Sequence, residues 1–238
     1  LDYHKNMKNY FSSKKRLFES LLDKKGKAVI CIDNKYGKKI KNISDAKKIT
    51  NISYGFGKEC DWRIVDVNRL PNNTIVSSCG QYSVVCNIGG NYNFTHCTLA
   101  NYWGLGTRNT PSILLNNYYE DTDGNLYIRD LNSAHFTNCI IDGSLTTEIE
   151  FQENSSGAFN YTFDHCLIKI DPNTNTNTAN YINIIKNKNP EFDDKTERDF
   201  HLTETSPCID AGKLTFTLVD IEDNIRSKPD LGAYEFVD

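Results

Sequence analysis

The sequence predicts a mainly β fold, with coils of a parallel β-helix over residues 71–238 preceded by a small α/β segment over residues 1–70. The first observation is a six-residue phrase that begins with Phe and carries Cys at its fourth position. It starts at Phe94, Phe136 and Phe163. Short strands that recur with loops of variable length between them are typical of stacked coils, in which like residues stack on like.

The second observation is a change in the sign of the charge near residue 70. Residues 1–70 hold 17 Lys and Arg against 8 Asp and Glu, a balance of +9. The remaining 168 residues hold 10 against 23, a balance of −13, and the two sum to the net −4 of the chain. Such an asymmetry indicates two pieces of different origin.

The third observation is that helix and strand patterns alternate in the first 70 residues. Apolar residues at steps of three and four predict a helix over Lys5–Leu22, and a weaker pattern predicts a second helix over Lys38–Lys48. The predicted strands are Ala28–Asp33, which reads as a fully buried parallel strand, Ile49–Phe56 and Trp62–Val67. This alternation favours an α/β unit over coils of a β-helix.

Three ordered blocks lie within these residues: LDYHKNMKNYFSSKKRLF, AVICIDNKYGKKI and ITNISYGFGKECDWRIVDV. Together they resemble the middle of a Mur ligase, of the type that adds the third amino acid to a UDP-N-acetylmuramoyl peptide. The resemblance implies ATP-dependent ligation, in which a carboxylate is phosphorylated and then attacked by an amine. It places His4 in the family's Leu-Asp-Tyr-His stretch, Lys14 at the carbamylated lysine that helps to hold Mg²⁺, and Asp33 near the nucleotide.

The chain departs from that family's pattern at the residues that would bind ATP. The Gly-x-x-x-x-Gly-Lys-Ser/Thr loop that cradles ATP phosphates does not occur in the 238 residues. Cys31 stands where the family has the Asn of its Asn-x-Asp-Asp. We therefore expect no ligase activity from this chain and no cofactor, with ATP and Mg²⁺ bound only in a complete ligase.

Residues 71–238 read as short strands with turns between them. The apolar pairs Ile75-Val76 and Thr98-Leu99 align at a step of 23 residues, which suits one coil. The polar run Asp171–Asn180 reads as a solvated loop between coils. The predicted strands are Asn73–Ser78, Gln81–Cys86, Asn91–Trp103, Ser112–Asn117, Leu126–Arg129, Ala134–Ile141, Glu148–Phe151 and Asn160–Ile170. Tyr181–Ile185 reads as either a short strand or a helical turn.

The tail carries the phrases SPCIDAG and PDLGAYE, which begin at Ser206 and Pro229. With the repeats, they resemble the C-terminal end of right-handed parallel β-helix proteins, the pectin-lyase-like superfamily, of the type on Bacteroides surfaces. We expect the tail to cap the last coil, because bare strand edges aggregate, with Arg226 pairing with Asp230 or Glu235. The predicted cap residues are Asp210, Gly212, Arg226, Asp230, Gly232 and Glu235.

Cysteine and histidine occupy fixed positions of the repeat. Cys97, Cys139 and Cys166, with Phe94, Phe136 and Phe163, are predicted to form a buried structural ladder. No Cys-x-x-Cys pair occurs, so we expect no metal site and no redox pair. His96 and His165 form either an exposed ladder facing a ligand or a row of outer-face polar residues, with Asn138 between them.

No catalytic residue is predicted with confidence on the coils, since a hydrolase needs two carboxylates at a defined separation. Asp142 and Asp164 differ in register and are not expected to pair, while Asp171 and the turn Glu120–Asp123 read as solvated. The tyrosines at 92, 102, 118 and 119 and Trp103 either stack on sugars or cover coil edges.

The sequence favours a non-catalytic β-helix module of a bacterial surface or carbohydrate-associated protein, fused to an incomplete Mur ligase segment. One alternative is an ATP-dependent Mur ligase relative of peptidoglycan biosynthesis, and another is a polysaccharide lyase or hydrolase. A carbohydrate partner is expected, with no nucleic acid and no membrane span. No secretory signal is recognised at Leu1–His4. The oligomeric state and the localisation are left open, because β-helix relatives are extracellular and Mur ligases cytoplasmic.

Overall fold

A computed structural model describes residues 7–23, 25–55, 57–63, 68–69 and 71–237. The chain divides into two compact units, Leu1–Val67 and Asn68–Asp238. Within the described ranges, every helix is too short or too polar to cross a membrane, as the sequence predicted. His4 lies outside the described residues, as do the last four residues of the predicted strand Trp62–Val67.

The first unit alternates helices and strands, and its strands form a parallel sheet in the order β1-β2-β3. The helix predicted over Lys5–Leu22 changes to π geometry after Arg16. The elements are α1 (Met7–Arg16), a π-helical turn (Leu17–Leu21), β1 (Lys27–Cys31), α2 (Lys35–Ala46), β2 (Thr50–Gly55) and β3 (Trp62–Arg63).

Strand β1 is buried on one face only, which corrects the prediction of a fully buried strand. Ala28 and Ile30 pack with Ile40 of α2, whereas Val29 on the opposite face is 62% exposed. The start of α2 lies directly against β1, since a Cβ at Gly37 would overlap the Cys31 carbonyl. The close approach of α2 to β1 therefore requires glycine at this position.

The second unit consists mainly of short strands that follow one another along the chain. Most of them pair in parallel, and the two exceptions are antiparallel hairpins. The strands are β4 (Asn68–Arg69), β5 (Ile75–Ser77), β6 (Val84–Cys86), β7 (Gly90–Thr95), β8 (Thr98–Asn101), β9 (Ile113–Asn116), β10 (Tyr118–Glu120), β11 (Leu126–Ile128), β12 (Leu131–Thr137), β13 (Ile140–Gly143), β14 (Ile149–Gln152), β15 (Phe159–Asp164), β16 (Leu167–Ile168), β17 (Tyr181–Ile182), β18 (Ile185–Lys186), β19 (Phe192–Asp194) and β20 (Asp199–Leu202).

The chain passes repeatedly through three parallel sheets. Equivalent strands of successive passes are neighbours in the same sheet. The first sheet has the order β4-β7-β12-β15-β17, the second β5-β8-β13-β16-β18, and the third β6-β9-β14. Ile75 lies opposite Thr98 and Val76 opposite Leu99, which is the pairing that the 23-residue step predicts. Neighbours along the chain therefore enter different sheets, while sequence repeats become neighbours within one sheet.

The repeated Phe and Cys residues fill the space between the sheets. The Phe136 ring stacks on the rings of Phe94 and Phe163, with centroids 4.7 and 4.8 Å away. The thiols of Cys139 and Cys166 are fully buried and donate to the carbonyls of Phe94 and Phe136, at 3.5 and 3.3 Å. Burial raises the pKa of Cys139 well above its usual range, so this thiol keeps the proton that it donates.

A column of left-handed residues forms the corner between the first and second sheets. The register aligns them, since Thr95 lies opposite Thr137 and Thr137 opposite Asp164. Each is Asn or His, which tolerate positive φ better than most residues. The repeat predicted as one strand is therefore two strands in different sheets. The column consists of Asn73, His96, Asn138, His165 and Asn183, with φ of 46°, 51°, 54°, 52° and 50°.

Residues 213–219, here called the strap, bind across this column. The side-chain amide of Asn138 accepts from the Lys213 N–H at 3.0 Å and donates to the Lys213 carbonyl at 2.7 Å. Thr215 Oγ1 lies 3.3 Å from His96 Nε2, and Asn73 Nδ2 donates to the Val219 carbonyl at 2.8 Å. The strap thus ties together passes of the chain that are separate in sequence.

The tail lies along the second sheet instead of only covering the last coil, which differs from the expectation. Phe200, Leu202 and Leu231 belong to one buried cluster with Ile140 and Leu167 of that sheet. The physical reason is that the second sheet carries apolar side chains on both faces, so its outer face needs a cover.

The predicted cap residues of the tail contact one another. Of the two partners proposed for Arg226, Glu235 makes the buried ion pair. The Asp230 carboxylate instead accepts from the backbone N–H groups of Asp210 and Phe236, at 2.7 and 2.6 Å. A further cap residue, Gly232, has a φ of 91°, and a Cβ there would crowd the second sheet. Gly212 donates its N–H to the Pro229 carbonyl at 2.8 Å.

Replacing Asn138 tests the corner. Asn138→Ala should destabilise the second unit by about 2–4 kcal/mol, because it combines a strained left-handed residue with lost buried hydrogen bonds. Asn138→Gly loses the same hydrogen bonds but adopts positive φ freely, so it should be less destabilising than Ala. Urea unfolding followed by Trp103 fluorescence in a Trp62→Phe background measures both.

Asn132→Ala is the matched control, since Asn132 is exposed on β12, the strand that Asn138 follows. This substitution should change stability by less than about 0.5 kcal/mol. A glycine variant as unstable as the alanine variant would contradict the role assigned to the backbone conformation.

Candidate functional site

A groove of about 420 Å³ lies on the outer face of the first sheet. Its position follows from period two in the strands: Phe94 and Phe136 point inward, so their neighbours Asn93 and His135 point outward. Asn93 lies opposite His135, and His135 opposite Thr162. The groove is lined by Asn91, Tyr92, Asn93, Ser133, His135, Phe136, Thr137, Thr162, Asp164 and Lys213.

The polar lining is rich in groups that both donate and accept hydrogen bonds. Ser133 donates to Asn91 Oδ1 at 3.0 Å. The hydroxyls of Thr137 and Thr162 and the exposed imidazole of His135 add further donors and acceptors. A row of such groups across several parallel strands offers an elongated polar ligand repeated hydrogen bonds.

Lys213 of the strap closes one end of the groove by pairing with Asp164. The same carboxylate accepts from His165 Nδ1 at 2.7 Å. Burial opposes ionisation of Asp164, but the hydrogen bonds and charges of Lys213 and His165 outweigh it and lower its pKa. The carboxylate therefore serves the strap contact and is not poised as a general acid.

The histidines of the repeat form neither the exposed ladder nor the row of outer-face polar residues that were the two expectations, because they lie in the corner between two sheets. His96 is fully buried, and its Nε2 accepts from Asn138 Nδ2 at 2.9 Å. Burial and the nearby Arg226 charge lower the pKa of His96 to about 3, so its ring is neutral. His165 Nε2 lies 3.0 Å from Asn183 Nδ2 in the same corner column.

The carboxylates considered from sequence lie in separate surroundings. Asp142 bonds to Tyr102 and Lys169, away from the contacts of Asp164. Asp171 accepts from the Asn173 N–H at 2.8 Å, and Asp121 accepts from the Asp123 N–H at 2.9 Å, both as ordinary turns. Over the described residues, no group of three or more His, Cys, Asp and Glu is placed to hold a metal ion.

The aromatic residues are divided between structural and open positions. Tyr92 is buried, and its hydroxyl donates to the Gly89 carbonyl at 2.9 Å. Tyr119 stacks on Tyr127 across the hairpin β10–β11, with centroids 4.8 Å apart. Trp103 is half-buried beside Gly80.

A buried ion pair that the sequence reasoning missed holds the loop between β8 and β9. Arg108 donates to both carboxylate oxygens of Glu148, at 2.6 and 2.8 Å, and to the Asn101 carbonyl at 2.8 Å. Glu148 also accepts from the N–H and hydroxyl of Ser112. The two residues are 40 positions apart, so no local pattern could have paired them.

In the first unit, the site residues implied by the Mur ligase resemblance lie around β1 and α1. Asp33 is exposed just after the carboxyl end of β1, the edge at which parallel α/β sheets bind ligands, and accepts from the Cys31 thiol at 3.6 Å. Asn34 caps α2 by accepting from Tyr36 and Gly37 N–H, both at 3.0 Å. Lys14 is exposed on α1, with its amine 5.6 Å from the Tyr10 ring centroid.

Comparison with known proteins shows that the first part of the chain is similar to Mur ligases. Residues 1–101 match the Mur ligase middle domain. A stretch of 97 residues is 34% identical to UDP-N-acetylmuramoyl-L-alanyl-D-glutamate–2,6-diaminopimelate ligase of Clostridium botulinum, covering 39% of this chain and 18% of that protein. The chain thus spans less than a fifth of the length of this curated relative. No solved structure matches.

The match bears out the Mur ligase part of the sequence resemblance and extends beyond residue 70. Its last residues, 71–101, include β5–β8 of the second unit. Of these strands, β6, β7 and β8 pair with β9, β12 and β13, which lie outside the match. The resemblance of residues 71–238 to pectin-lyase-like proteins stays a prediction.

Substitution of Asp164 tests its ion pair with Lys213 of the strap, because the stability that this pair contributes should depend on pH. A carboxyl whose folded-state pKa is lowered contributes stability above its unfolded pKa, about 3.9, and loses it as the pH falls through the folded value. Asp164→Asn should therefore cost about 1–3 kcal/mol at pH 7, and the difference from wild type should shrink below about pH 4.

Urea unfolding at pH 7 and pH 3 measures this, with Asp171→Asn as an exposed control. A cost for Asp164→Asn that stays constant over this pH range would contradict the ion pair.

Proposed function

We propose that the chain is a Mur ligase relative of peptidoglycan precursor synthesis, in which the first unit belongs to the domain that handles ATP. The observation that carries this proposal is the match of residues 1–101 to the Mur ligase middle domain. The relative is named as a ligase that joins 2,6-diaminopimelate to a UDP-N-acetylmuramoyl dipeptide. ATP-dependent amide bond formation is accordingly the reaction class proposed for a complete ligase of this type, to which the first unit contributes nucleotide contacts.

The carboxyl edge of the parallel sheet in the first unit is the place where nucleotide contacts are proposed. Asp33 supplies a carboxylate able to accept hydrogen bonds from ribose hydroxyls or an adenine amino group. The fit to Mg²⁺ is poor, because the described residues group no three metal-ligating side chains, and no step is assigned to the metal. With no phosphate-binding loop in its sequence, the chain should bind nucleotide weakly and should not complete ligation.

Nucleotide binding by the full 238-residue chain tests this proposal. ATP should give saturable binding in about the millimolar range. Asp33→Asn should weaken it several-fold, because the side chain loses its charge and one of its two acceptor oxygens becomes a donor. Equilibrium dialysis with radiolabelled ATP measures the affinity, and Asp223→Asn, exposed on the second unit, serves as the matched control. Absence of saturable binding, or equal affinity of wild type and Asp33→Asn, would defeat the proposal.

A second candidate function concerns the second unit, and the groove is the observation that favours it. We propose that its three sheets are faces of right-handed parallel β-helix coils and that the groove binds an oligosaccharide. The support lies in the parallel register of equivalent strands and in the polar row that includes Asn93, His135 and Thr162. Binding is proposed rather than cleavage, because Asp164 alone among the lining residues is acidic and glycoside hydrolysis requires two carboxyl groups.

Oligosaccharide binding can be measured by isothermal titration calorimetry with neutral and acidic chains of four to six sugars, lengths chosen on the order of the groove's span. At least one class should bind, and Asn93→Ala combined with His135→Ala should weaken it by about tenfold or more, as expected when several hydrogen bonds are lost. Asn175→Ala in the polar loop is the control. Failure of every sugar to bind, or an unchanged affinity in the double variant, would refute the role of the groove.

A further inference from the structure

A second cavity, of about 240 Å³, lies at the carboxyl ends of the strands of the second sheet. Tyr102 follows β8, Asp142 lies in β13, and Lys169 follows β16. The segment after β18 completes the lining with Asn187, Lys188, Asn189 and Lys195. Parallel stacking therefore brings residues that are distant in sequence to one edge, apart from the groove on the first sheet.

The floor of this cavity is a neutralised carboxylate. Asp142 is only 4% exposed, accepts from the Tyr102 hydroxyl at 2.5 Å and lies 3.3 Å from Lys169 Nζ. Burial and the Asp142 charge raise the pKa of Tyr102 strongly, so the hydroxyl keeps the proton that it donates. Since Lys169 offsets the charge of Asp142, the floor offers little attraction to a cation.

Two further lysines line the cavity without an acidic partner within ion-pair distance in the described part of the chain. Lys195 Nζ is held 5.3 Å from the Tyr102 ring centroid and donates to Asn189 Oδ1 at 2.9 Å. Lys188 is exposed. The acidic group nearest in the bonding network is Glu191, which accepts from the other end of the Asn189 amide at 2.9 Å.

We propose that this cavity binds a small oxyanion: a carboxylate, sulfate or phosphate group, either free or carried by a sugar. The three lysines and one aspartate of the lining leave a charge of +2. The cation–π contact and the Asn189 hydrogen bond hold Lys195 in place before a ligand arrives, which reduces the ordering entropy that binding must overcome. The cavity volume suits a charged group or a single acidic sugar and is smaller than a typical site for a drug-sized ligand.

Ordinary solvated surface lysines are the plain alternative, and the arrangement around Tyr102 argues against it. A solvated lysine extends into water, whereas the Lys195 amine is fixed between a ring and an amide of the same cavity. The Tyr102 ring is held in turn by Asp142 and by Phe200, whose centroid is 6.5 Å away. Lys195 therefore packs against Tyr102, whose own position is fixed by its hydrogen bond to the buried Asp142.

The test titrates the full chain with sodium phosphate, sodium sulfate, galacturonate and, as an uncharged probe, glucose, and follows binding by ¹⁵N NMR at constant ionic strength. At least one anion should bind saturably, while glucose should not. Lys188→Gln combined with Lys195→Gln should weaken that anion by tenfold or more and leave the dispersion of the spectrum unchanged. Lys228→Gln, a lysine that is 78% exposed on the same unit, should leave the affinity unchanged.

The pattern of ligands identifies the source of the anion. Binding of phosphate or sulfate but not galacturonate assigns the site to a free inorganic group, and stronger binding of galacturonate assigns it to an acidic sugar. The proposal is overturned if no anion binds saturably, if the double variant binds as well as wild type, or if Lys228→Gln weakens binding equally. Because none of these residues lies in the first unit or the groove, failure here leaves both proposed functions untouched.

Discussion

The second unit depends on one backbone constraint, the left-handed residue that each pass of the chain places between the first and second sheets. Positive φ costs an ordinary residue of the order of 1 kcal/mol, and this cost recurs down the column. Asn and His lower it and offer side chains that bond to the next member, as Asn138 does to His96. Once the corner is fixed, the strands on either side are directed into different sheets. The stacked rings of Phe94, Phe136 and Phe163 follow from that geometry.

The same corner gives the C-terminal tail its course. Because the side-chain amides of Asn138 and Asn73 lie in one column, the strap can bond to several passes in succession. The apolar outer face of the second sheet then receives Phe200 and Leu231. Burial of this face and the buried pair of Arg226 with Glu235 make the tail part of the core. Lys213 and the pocket lysine Lys195 both belong to this tail, so the features available to ligands depend on it.

The two units carry different functional signals, and the Mur ligase match overlaps both. The first unit has the parallel sheet and the exposed Asp33 at its carboxyl edge, which agrees with the family's use of nucleotides. The matched residues 71–101 belong structurally to the parallel sheets of the second unit, since β7 and β8 pair with β12 and β13. The groove and the cationic cavity lie on the second unit and involve residues outside the match. The proposal of a ligase segment in the first unit and that of ligand binding by the second unit can therefore be tested separately.

The sequence by itself determined the Phe and Cys repeat, the 23-residue step from Ile75 to Thr98, the alternation of helix and strand before residue 63, and the burial of the repeat's cysteines. These are local or periodic properties, readable because like residues must stack on like. Only the tertiary structure decided that the repeat bends at His96, Asn138 and His165, because a single φ angle there does not alter the hydrophobic pattern. It also decided that Arg108 pairs with Glu148 and that Tyr102, Asp142 and Lys195 share a cavity. Those contacts join distant positions, and the pairing of non-local polar groups is fixed by the packed backbone rather than by composition or period.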